Sequence, residues 1–145
     1  MIFEERVDFE LIKAIKKANN QLFKQENDIV RNYGLTASQY GVLECLYMKG
    51  DMCINELIKR LISTSGTMTV IVRNLEKMEY VSRVNDCNDK RVFKICLTEN
   101  GRDMVELILP MRKKQVEEFA DVLTSEEKKE LLNIFYKLKN KYKEK

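Results

Sequence analysis

The sequence predicts a mainly α-helical fold that contains one small β-hairpin. Apolar residues recur at helical spacing over several long stretches of the 145-residue chain. Residues 80–97 instead form two short apolar segments around a polar turn, which is typical of a hairpin. Two short helical segments separated by a polar turn come directly before it. Together these features predict a winged helix-turn-helix flanked by longer helices at both ends of the chain.

The first two helices can be placed from their apolar spacing and their end signals. The first is expected over residues 8–33, with Gly34 as its stop. The second begins after Thr36, which has Gln39 at the capping-box position, and it ends at Gly50.

The next segments supply the helix-turn-helix and the hairpin. A third helix follows Cys53, and the run Ser-Thr-Ser-Gly-Thr at 63–67 ends it and opens a fourth. Strands are expected over 80–84 and 92–97, joined by a loop rich in Asn and Asp, which tolerate turn conformations. Small hydroxyl residues at the start of the fourth helix allow close approach to a partner, and the unpaired N–H groups there attract phosphate.

The last third of the chain is again helical. Thr98 stands where a helix N-cap would, and Gly101 follows three residues later. Pro110 predicts a kink or a fresh helix start just after it. Thr124 or Ser125 is expected to cap the final helix.

Charge is distributed unevenly along the chain. The net charge of +3 is too small to indicate a nucleic-acid partner by itself. Residues 59–102, however, contain nine Lys or Arg against five Asp or Glu, an excess of four, so the remainder is close to neutral. The basic excess therefore lies in the predicted helix-turn-helix and hairpin, as expected for a surface that meets DNA phosphates.

Several function classes have little support in the composition. The chain has no histidine, no Gly-rich phosphate loop and no nucleophile–base signature, so we expect neither an enzyme nor a cofactor. Its four cysteines form no C-x-x-C pair, which disfavours a zinc site. No segment has the apolar length of a membrane span, and the N-terminal residues lack a signal-peptide pattern. A cytoplasmic protein with free thiols is expected.

The order of elements and a set of short motifs together resemble the MarR family of winged-helix transcription regulators, over nearly the whole chain. Each motif is weak alone, but they occur in order and at the family's spacing. The matching residues are Leu35-Thr36, Gln39-Tyr40, Val42-Leu43, Glu56-Leu57, Arg60-Leu61, Thr67, Leu75, Val81, Arg83, Asp89-x-Arg91 and Leu97-Thr98-x-x-Gly101.

This resemblance implies a sequence-specific homodimeric repressor that binds a pseudo-palindromic operator in double-stranded DNA. A single domain, 1–145, is expected, with about 36–97 as the DNA-binding lobe. Residues of about 1–34 and 98–145 would form the dimerisation region.

The resemblance also assigns DNA-binding residues. In the fourth helix, small residues are placed on the major-groove side, and two cations are placed towards phosphates or base edges. In the hairpin, Arg91 is placed in the minor groove with Lys90 beside it, and Asp89 supports the turn by pairing with an arginine. The helix residues so assigned are Thr64, Ser65, Thr67, Thr69, Val70, Arg73 and Lys77.

Members of this family are often released from DNA by a small aromatic effector. The expected lining here is Phe9, Ile12, Ile15, Tyr40, Leu43 and Tyr47, although the same residues would also serve as core. Two alternatives stay open at this point, a redox-responsive repressor that uses Cys87 and a non-specific architectural DNA-binding protein.

Departures from the family pattern affect the helix-turn-helix itself. Glu79 replaces the glycine that commonly ends the recognition helix, so the exit turn is expected to need another conformation. Ile58 replaces a small residue, and Ile62-Ser63 replaces the commoner Gly-Leu. These changes are expected to alter local packing more than the fold.

Overall fold

A computed structural model describes residues 3–61, 63–85, 88–89 and 91–143, with side chains from Arg6 onward. It confirms a mainly α-helical fold with a small antiparallel sheet. In the described part of the chain, no helix has both the length and the apolarity needed to cross a membrane. The elements are α1 Phe3–Arg31, α2 Ala37–Lys49, β1 Met52–Cys53, α3 Ile54–Leu61, α4 Ser65–Lys77, β2 Val81–Asn85, β3 Phe93–Leu97, α5 Glu99–Ala120 and α6 Ser125–Asn140.

Contacts along the chain divide it into two compact units, Met1–Arg112 and Lys113–Lys145. The first unit contains the core, in which three consecutive helices of the winged helix pack with the end of α1, the sheet and the first half of α5. Its fully buried side chains include Val30, Tyr40, Val42, Leu43, Leu57, Met68, Val72, Leu75, Ile95, Val105 and Ile108.

The sheet has three strands in the order β1-β3-β2, and both pairings are antiparallel. The hairpin of β2 and β3 pairs Val81 with Leu97 and Asn85 with Phe93. We call residues 81–97 the wing. The short strand β1 pairs Met52 with Ile95 and was not predicted from the sequence. It ties the segment before α3 to the middle strand of the wing.

Most helix boundaries follow local capping chemistry, as predicted. Thr36 accepts a hydrogen bond from the Gln39 N–H at 3.1 Å, and the Gln39 side chain accepts from the Thr36 N–H at 3.0 Å. Thr124 and Glu127 form the same reciprocal pair at the start of α6. Helix α1 ends at Arg31, two residues before the expected end at residue 33, and Gly34 closes the turn that follows with φ +76°. These reciprocal bonds satisfy N–H groups that a helix start leaves unpaired.

Pro110 does not start a new helix. Helix α5 runs unbroken from Glu99 to Ala120 with the proline inside it, so of the two expectations, a kink or a fresh start, the fresh start does not occur. A proline removes one N–H and crowds the preceding turn, which bends or weakens a helix without always ending it.

The exit of α4 corrects another expectation. Glu79 keeps the left-handed conformation, with φ +62°, so the turn does not adopt another conformation to accommodate the glutamate. This region of backbone costs a residue with a Cβ roughly 1–2 kcal/mol. The Thr98 hydroxyl donates to the Glu79 carbonyl at 2.7 Å, and this contact helps to hold the strained residue in place.

Thr98 also begins α5 and closes the base of the wing. Its N–H donates to the Tyr80 carbonyl at 3.1 Å, and its hydroxyl oxygen accepts from the Gly101 N–H at 3.0 Å. Gly101 is buried against the same carbonyl, and a Cβ added there would overlap with the Tyr80 oxygen. The three-residue spacing of Thr98 and Gly101 therefore follows from the close approach of the Gly101 backbone to the Tyr80 carbonyl.

A charged cluster lies where α1, α2 and α5 meet within the first unit. Arg112 Nε lies 3.7 Å from Glu26 Oε1 and 3.7 Å from Glu44 Oε2, and all three side chains are mostly buried. Burial raises the pKa of Glu26, against the lowering effect of Arg112, and Glu44 raises it further. Burial and then the charge of Glu44 raise the pKa of Tyr40.

The second unit has a different character. No residue of α6 is buried, although the helix carries an apolar stripe. Leu131, Phe135 and Leu138 are among the exposed apolar side chains of α6, and Val122, just before this helix, is exposed too. A stripe of this size left open to water is typical of a surface that another molecule covers.

Gly101→Ala is predicted to destabilise the protein by about 1–3 kcal/mol, because the new methyl group meets a backbone carbonyl that cannot move aside cheaply. Gly41→Ala is the matched control, since its Cβ would meet no atom within 4 Å. The control should be neutral or stabilising by up to about 1 kcal/mol, as expected for Gly to Ala inside a helix. Urea unfolding measures both, and equal stabilities would contradict the close-approach argument.

Glu26→Gln is predicted to flatten the dependence of stability on pH. Because the folded pKa of Glu26 is raised, the folded state holds this proton more tightly than the unfolded state. Its stabilisation is complete below the ordinary value of 4.5 and is lost as the pH rises through the raised pKa. The wild type should therefore lose more unfolding free energy than the variant over that pH range.

Asp28→Asn provides the control, because Asp28 is an exposed carboxylate on the same helix. Urea titrations at pH 4.5 and pH 7.5 give the change in unfolding free energy between the two pH values for each protein. The lower pH is the ordinary pKa of a glutamate. If the wild type and Glu26→Gln lost equal unfolding free energy between the two pH values, the predicted effect of Glu26 on stability would be refuted.

Candidate nucleic-acid interface

The start of α4 is built by three hydroxyl side chains. Thr64 caps the helix by accepting from the Thr67 N–H at 3.2 Å, and its own hydroxyl donates to the Thr67 hydroxyl oxygen at 2.9 Å. The Thr69 hydroxyl donates to the Ser65 carbonyl at 2.7 Å. Residues 64–67 are exposed, and a helix start leaves its first N–H groups without a partner inside the helix. Such a terminus favours a phosphate or another anion.

The two faces of α4 are distinct in character. Met68, Val72 and Leu75 are buried and fix the helix against the core. Val70, Arg73 and Lys77 are exposed on the other side of the helix. No ion pair within the described residues occupies Arg73 or Lys77, so both cations are available to phosphates or base edges.

An ion pair that sequence reasoning missed joins α4 to the wing. Arg83 Nε lies 2.6 Å from Glu76 Oε1, and both side chains are about one-third exposed. Arg83 was singled out from the sequence only as a family match. The pairing could not be foreseen, because a turn of unknown geometry separates the two residues. It fixes the recognition helix to strand β2.

The tip of the wing is a tight turn stabilised by Asp89. Its carboxylate accepts from the Arg91 N–H at 3.0 Å, and its carbonyl accepts from the Val92 N–H at 3.0 Å. Arg91 Nε lies 3.7 Å from the same carboxylate, and the Arg91 side chain is 95% exposed. The guanidinium is therefore positioned by the turn but not enclosed by it. Lys90 and Cys87 lie outside the described residues.

Further exposed cations border this surface. Lys59 and Arg60 lie at the end of α3, and Lys94 lies on β3. Arg102 stacks over the Tyr47 ring, with its guanidinium carbon 5.3 Å from the ring centroid. The described cations of residues 59–102 therefore lie on α3, α4, the wing and the start of α5. Cations grouped in this way attract the phosphate backbone of DNA at long range.

The residues predicted to line an effector site lie in different environments. Tyr40 and Leu43 are fully buried in the core, whereas Phe9 and Ile12 are exposed on α1. Ile15 and Tyr47 are half-buried, and the Tyr47 hydroxyl donates to Glu106 at 3.3 Å. A shallow depression on α1 is lined by other residues, namely Lys13, Lys16, Lys17, Asn20, Gln21 and Lys24.

Three cysteines are free thiols, as expected, and all three are half-buried. Burial raises the pKa of Cys45, whose sulfur lies 4.0 Å from Met52 Sδ. Burial also raises the pKa of Cys96, and Asp51 raises it further. A raised pKa lowers the thiolate fraction and with it the reactivity toward oxidants.

Comparisons with known proteins agree with this geometry. Residues 21–108 match the family model described as "Transcriptional regulator SarA/Rot". The HTH-type transcriptional regulator SarZ of Staphylococcus epidermidis is 31% identical over 115 residues, which are 79% of this chain and 76% of SarZ. The family model includes α4 and the wing.

Solved structures share the fold. A mutant of MarR from E. coli, complexed with operator DNA, superimposes with a TM-score of 0.82 at 24% identity and covers 95% of this chain and 98% of that one. BpsR of Bordetella bronchiseptica, described in terms of regulation of its DNA binding by 6-hydroxynicotinic acid, gives a TM-score of 0.80 at 19% identity. It covers 90% of this chain and 98% of its own.

The family model covers more than half of the chain, and the relative and the solved structures agree with it. The chain therefore belongs to the SarA/Rot family of transcriptional regulators, DNA-binding proteins with the MarR-type winged-helix fold.

Proposed function

We propose that this protein is a sequence-specific, homodimeric repressor whose affinity for its operator is lowered by a small aromatic effector. In this proposal α4 enters the major groove through Thr64, Ser65, Thr67, Thr69 and Val70, with Arg73 and Lys77 directed to phosphates or base edges. Arg91, with Lys90 beside it, enters the adjacent minor groove, and Asp89 holds the turn.

One observation carries the DNA-binding part of the proposal. Helix α4 has an exposed start at residues 64–67 and two exposed cations that form no ion pair among the described residues, and the turn of the wing carries an almost fully exposed arginine. The Glu76–Arg83 ion pair joins the two at 2.6 Å. A major-groove helix and a minor-groove arginine held at a fixed separation can read two neighbouring grooves at once.

The exposed apolar stripe of α6 supports the proposed dimer. None of its residues is buried within one chain, and α1 also exposes Val7, Phe9, Leu11, Ile12 and Phe23. A second copy that covers both surfaces would remove this area from water. The DNA-binding lobe would then be residues 36–97, with 1–34 and 98–145 pairing the copies. Two-fold symmetry would match a pseudo-palindromic operator.

Sequence preference is tested by selecting DNA that binds the purified protein from a random pool and by footprinting the enriched site. We expect an inverted repeat that stays bound in excess competitor DNA, since specific affinities usually exceed non-specific ones by about 10³-fold or more. Binding of random DNA with equal affinity would support an architectural protein instead. A promoter reporter carrying the site should lose expression when the protein is present.

Arg91→Ala is predicted to weaken operator binding by roughly 1–3 kcal/mol, because the wing loses its groove contact. Arg31→Ala is the matched control, since Arg31 is an exposed arginine at the end of α1, outside the proposed interface. Fluorescence anisotropy at fixed salt measures both affinities. Unchanged binding of the Arg91 variant would remove the wing from the proposed interface.

The effector is proposed to bind beside α1 and α2, among Phe9, Ile12, Ile15, Tyr40, Leu43 and Tyr47. The regulation of BpsR by an aromatic acid supports the ligand class. Because Tyr40 and Leu43 are fully buried, they would serve as the floor of such a site rather than its opening. A ligand that prefers a conformation unfit for the operator lowers DNA affinity by population shift.

Saturating 6-hydroxynicotinic acid or benzoate should raise the midpoint of thermal unfolding and lower operator affinity in the wild type. Tyr47→Ala should lose most of both effects, whereas Tyr136→Ala, an exposed tyrosine on α6, should retain them. Effects that persist unchanged in Tyr47→Ala would place the effector elsewhere.

A further inference from the structure

We propose that a lysine face on α1 docks against an acidic segment of a second copy of this chain, and that this charge match fixes how the two copies pair. The proposal rests on the homodimer proposed above and specifies its contacts. The basic face consists of Lys13, Lys16, Lys17 and Lys24. The acidic segment consists of Glu117, Glu118, Asp121, Glu126 and Glu130.

The basic face is continuous and largely unpaired. Residues 13–25 contain four lysines and no acidic residue, and the lysines border one shallow depression along the helix. Lys13 lies 3.3 Å from Glu10 at an exposed site. Within the described residues no ion pair involves Lys16, Lys17 or Lys24, and all three are exposed. Four like charges on one helix repel one another unless an anionic surface faces them.

The acidic segment has the opposite sign and the same openness. Residues 117–130 contain six acidic residues and two lysines, a net charge of −4. Among the described residues, the ion pairs of Glu117 and Glu118 are those with Lys113 and Lys114, at 3.9 and 3.8 Å, and these pairs are largely exposed. Exposed pairs of this length are weak and can exchange partners. Asp121, Glu126 and Glu130 are exposed without a described ion pair.

Apolar residues accompany both charged surfaces. Phe9, Ile12 and Phe23 are exposed on α1 around the lysines, and Val116, Val122 and Leu131 are exposed among the acids. An apolar centre with a charged rim is the usual composition of a protein interface. Apolar burial alone leaves the pairing of two helical faces loosely defined, whereas opposite charges select one orientation and disfavour others.

A second copy is the occupant that fits these observations. In a two-fold dimer in which the basic face of each copy meets the acidic segment of the other, every contact forms twice. The two charged segments carry +4 and −4, so the contact is neutral overall. The charge match also makes dimerisation sensitive to salt, since exposed pairs are screened.

Charge reversal tests the proposal. K16E/K17E/K24E and E118K/D121K/E130K should each dimerise about tenfold or more weakly than wild type in sedimentation equilibrium, because like charges then face each other twice. An equimolar mixture should recover wild-type affinity as heterodimers, because both contacts are complementary again. K49E/K59E/K94E reverses three exposed cations elsewhere and should dimerise like wild type. Heterodimers are counted by native mass spectrometry.

The outcomes separate this inference from the proposed function. A wild-type protein that stays monomeric would overturn both. If the wild type dimerises and the reversed variants dimerise equally well, the charge match is overturned but the proposed homodimer stands. The same holds if an equimolar mixture of the two variants forms heterodimers only at the statistical proportion. Should a reversed variant lose its helical circular dichroism, K16Q/K17Q/K24Q replaces it. Undiminished affinity and salt dependence in that variant would likewise overturn the proposal.

Discussion

The carbonyl of Tyr80 is the point on which the winged helix depends. It accepts the Thr98 N–H at 3.1 Å, and Gly101 packs so closely against it that only a residue without a Cβ fits. The Thr98 hydroxyl also donates to the Glu79 carbonyl. The end of α4, the base of the wing and the start of α5 therefore converge within a few residues. A displacement at this junction moves all three together. The position of the wing relative to α4 is thus set at its base, and the Glu76–Arg83 pair reinforces it further along.

Features controlled by local chemistry could be predicted from the sequence. The capping box at Thr36, the stop at Gly34 and the helix start near Thr64 each depend on residues adjacent in the chain. The hairpin was placed to within about one residue for the same reason. Local signals were misleading where tertiary contacts dominate. The left-handed turn at Glu79 is kept by its surroundings.

Long-range features could not be predicted. Strand β1 has two residues, too few for a periodic pattern, and exists because Met52 pairs with Ile95 some forty residues later. Helical periodicity likewise cannot separate an apolar face that packs inside its own chain from one left open. Tyr40 and Phe9 were assigned to the same effector site, yet one is fully buried and the other largely exposed. Their difference depends on which helices pack within one chain.

The Glu76–Arg83 pair also bears on how mutations in this surface are interpreted. Glu76 is a carboxylate on α4, the helix proposed to bind DNA, and its ion-pair partner among the described residues is Arg83. If α4 enters the major groove as proposed, removing Arg83 would leave the Glu76 carboxylate without this partner near the phosphates, so DNA affinity would fall whether or not Arg83 contacts DNA itself. A loss of binding on substitution of Arg83 therefore identifies a DNA contact only when the Glu76 carboxylate has been removed as well.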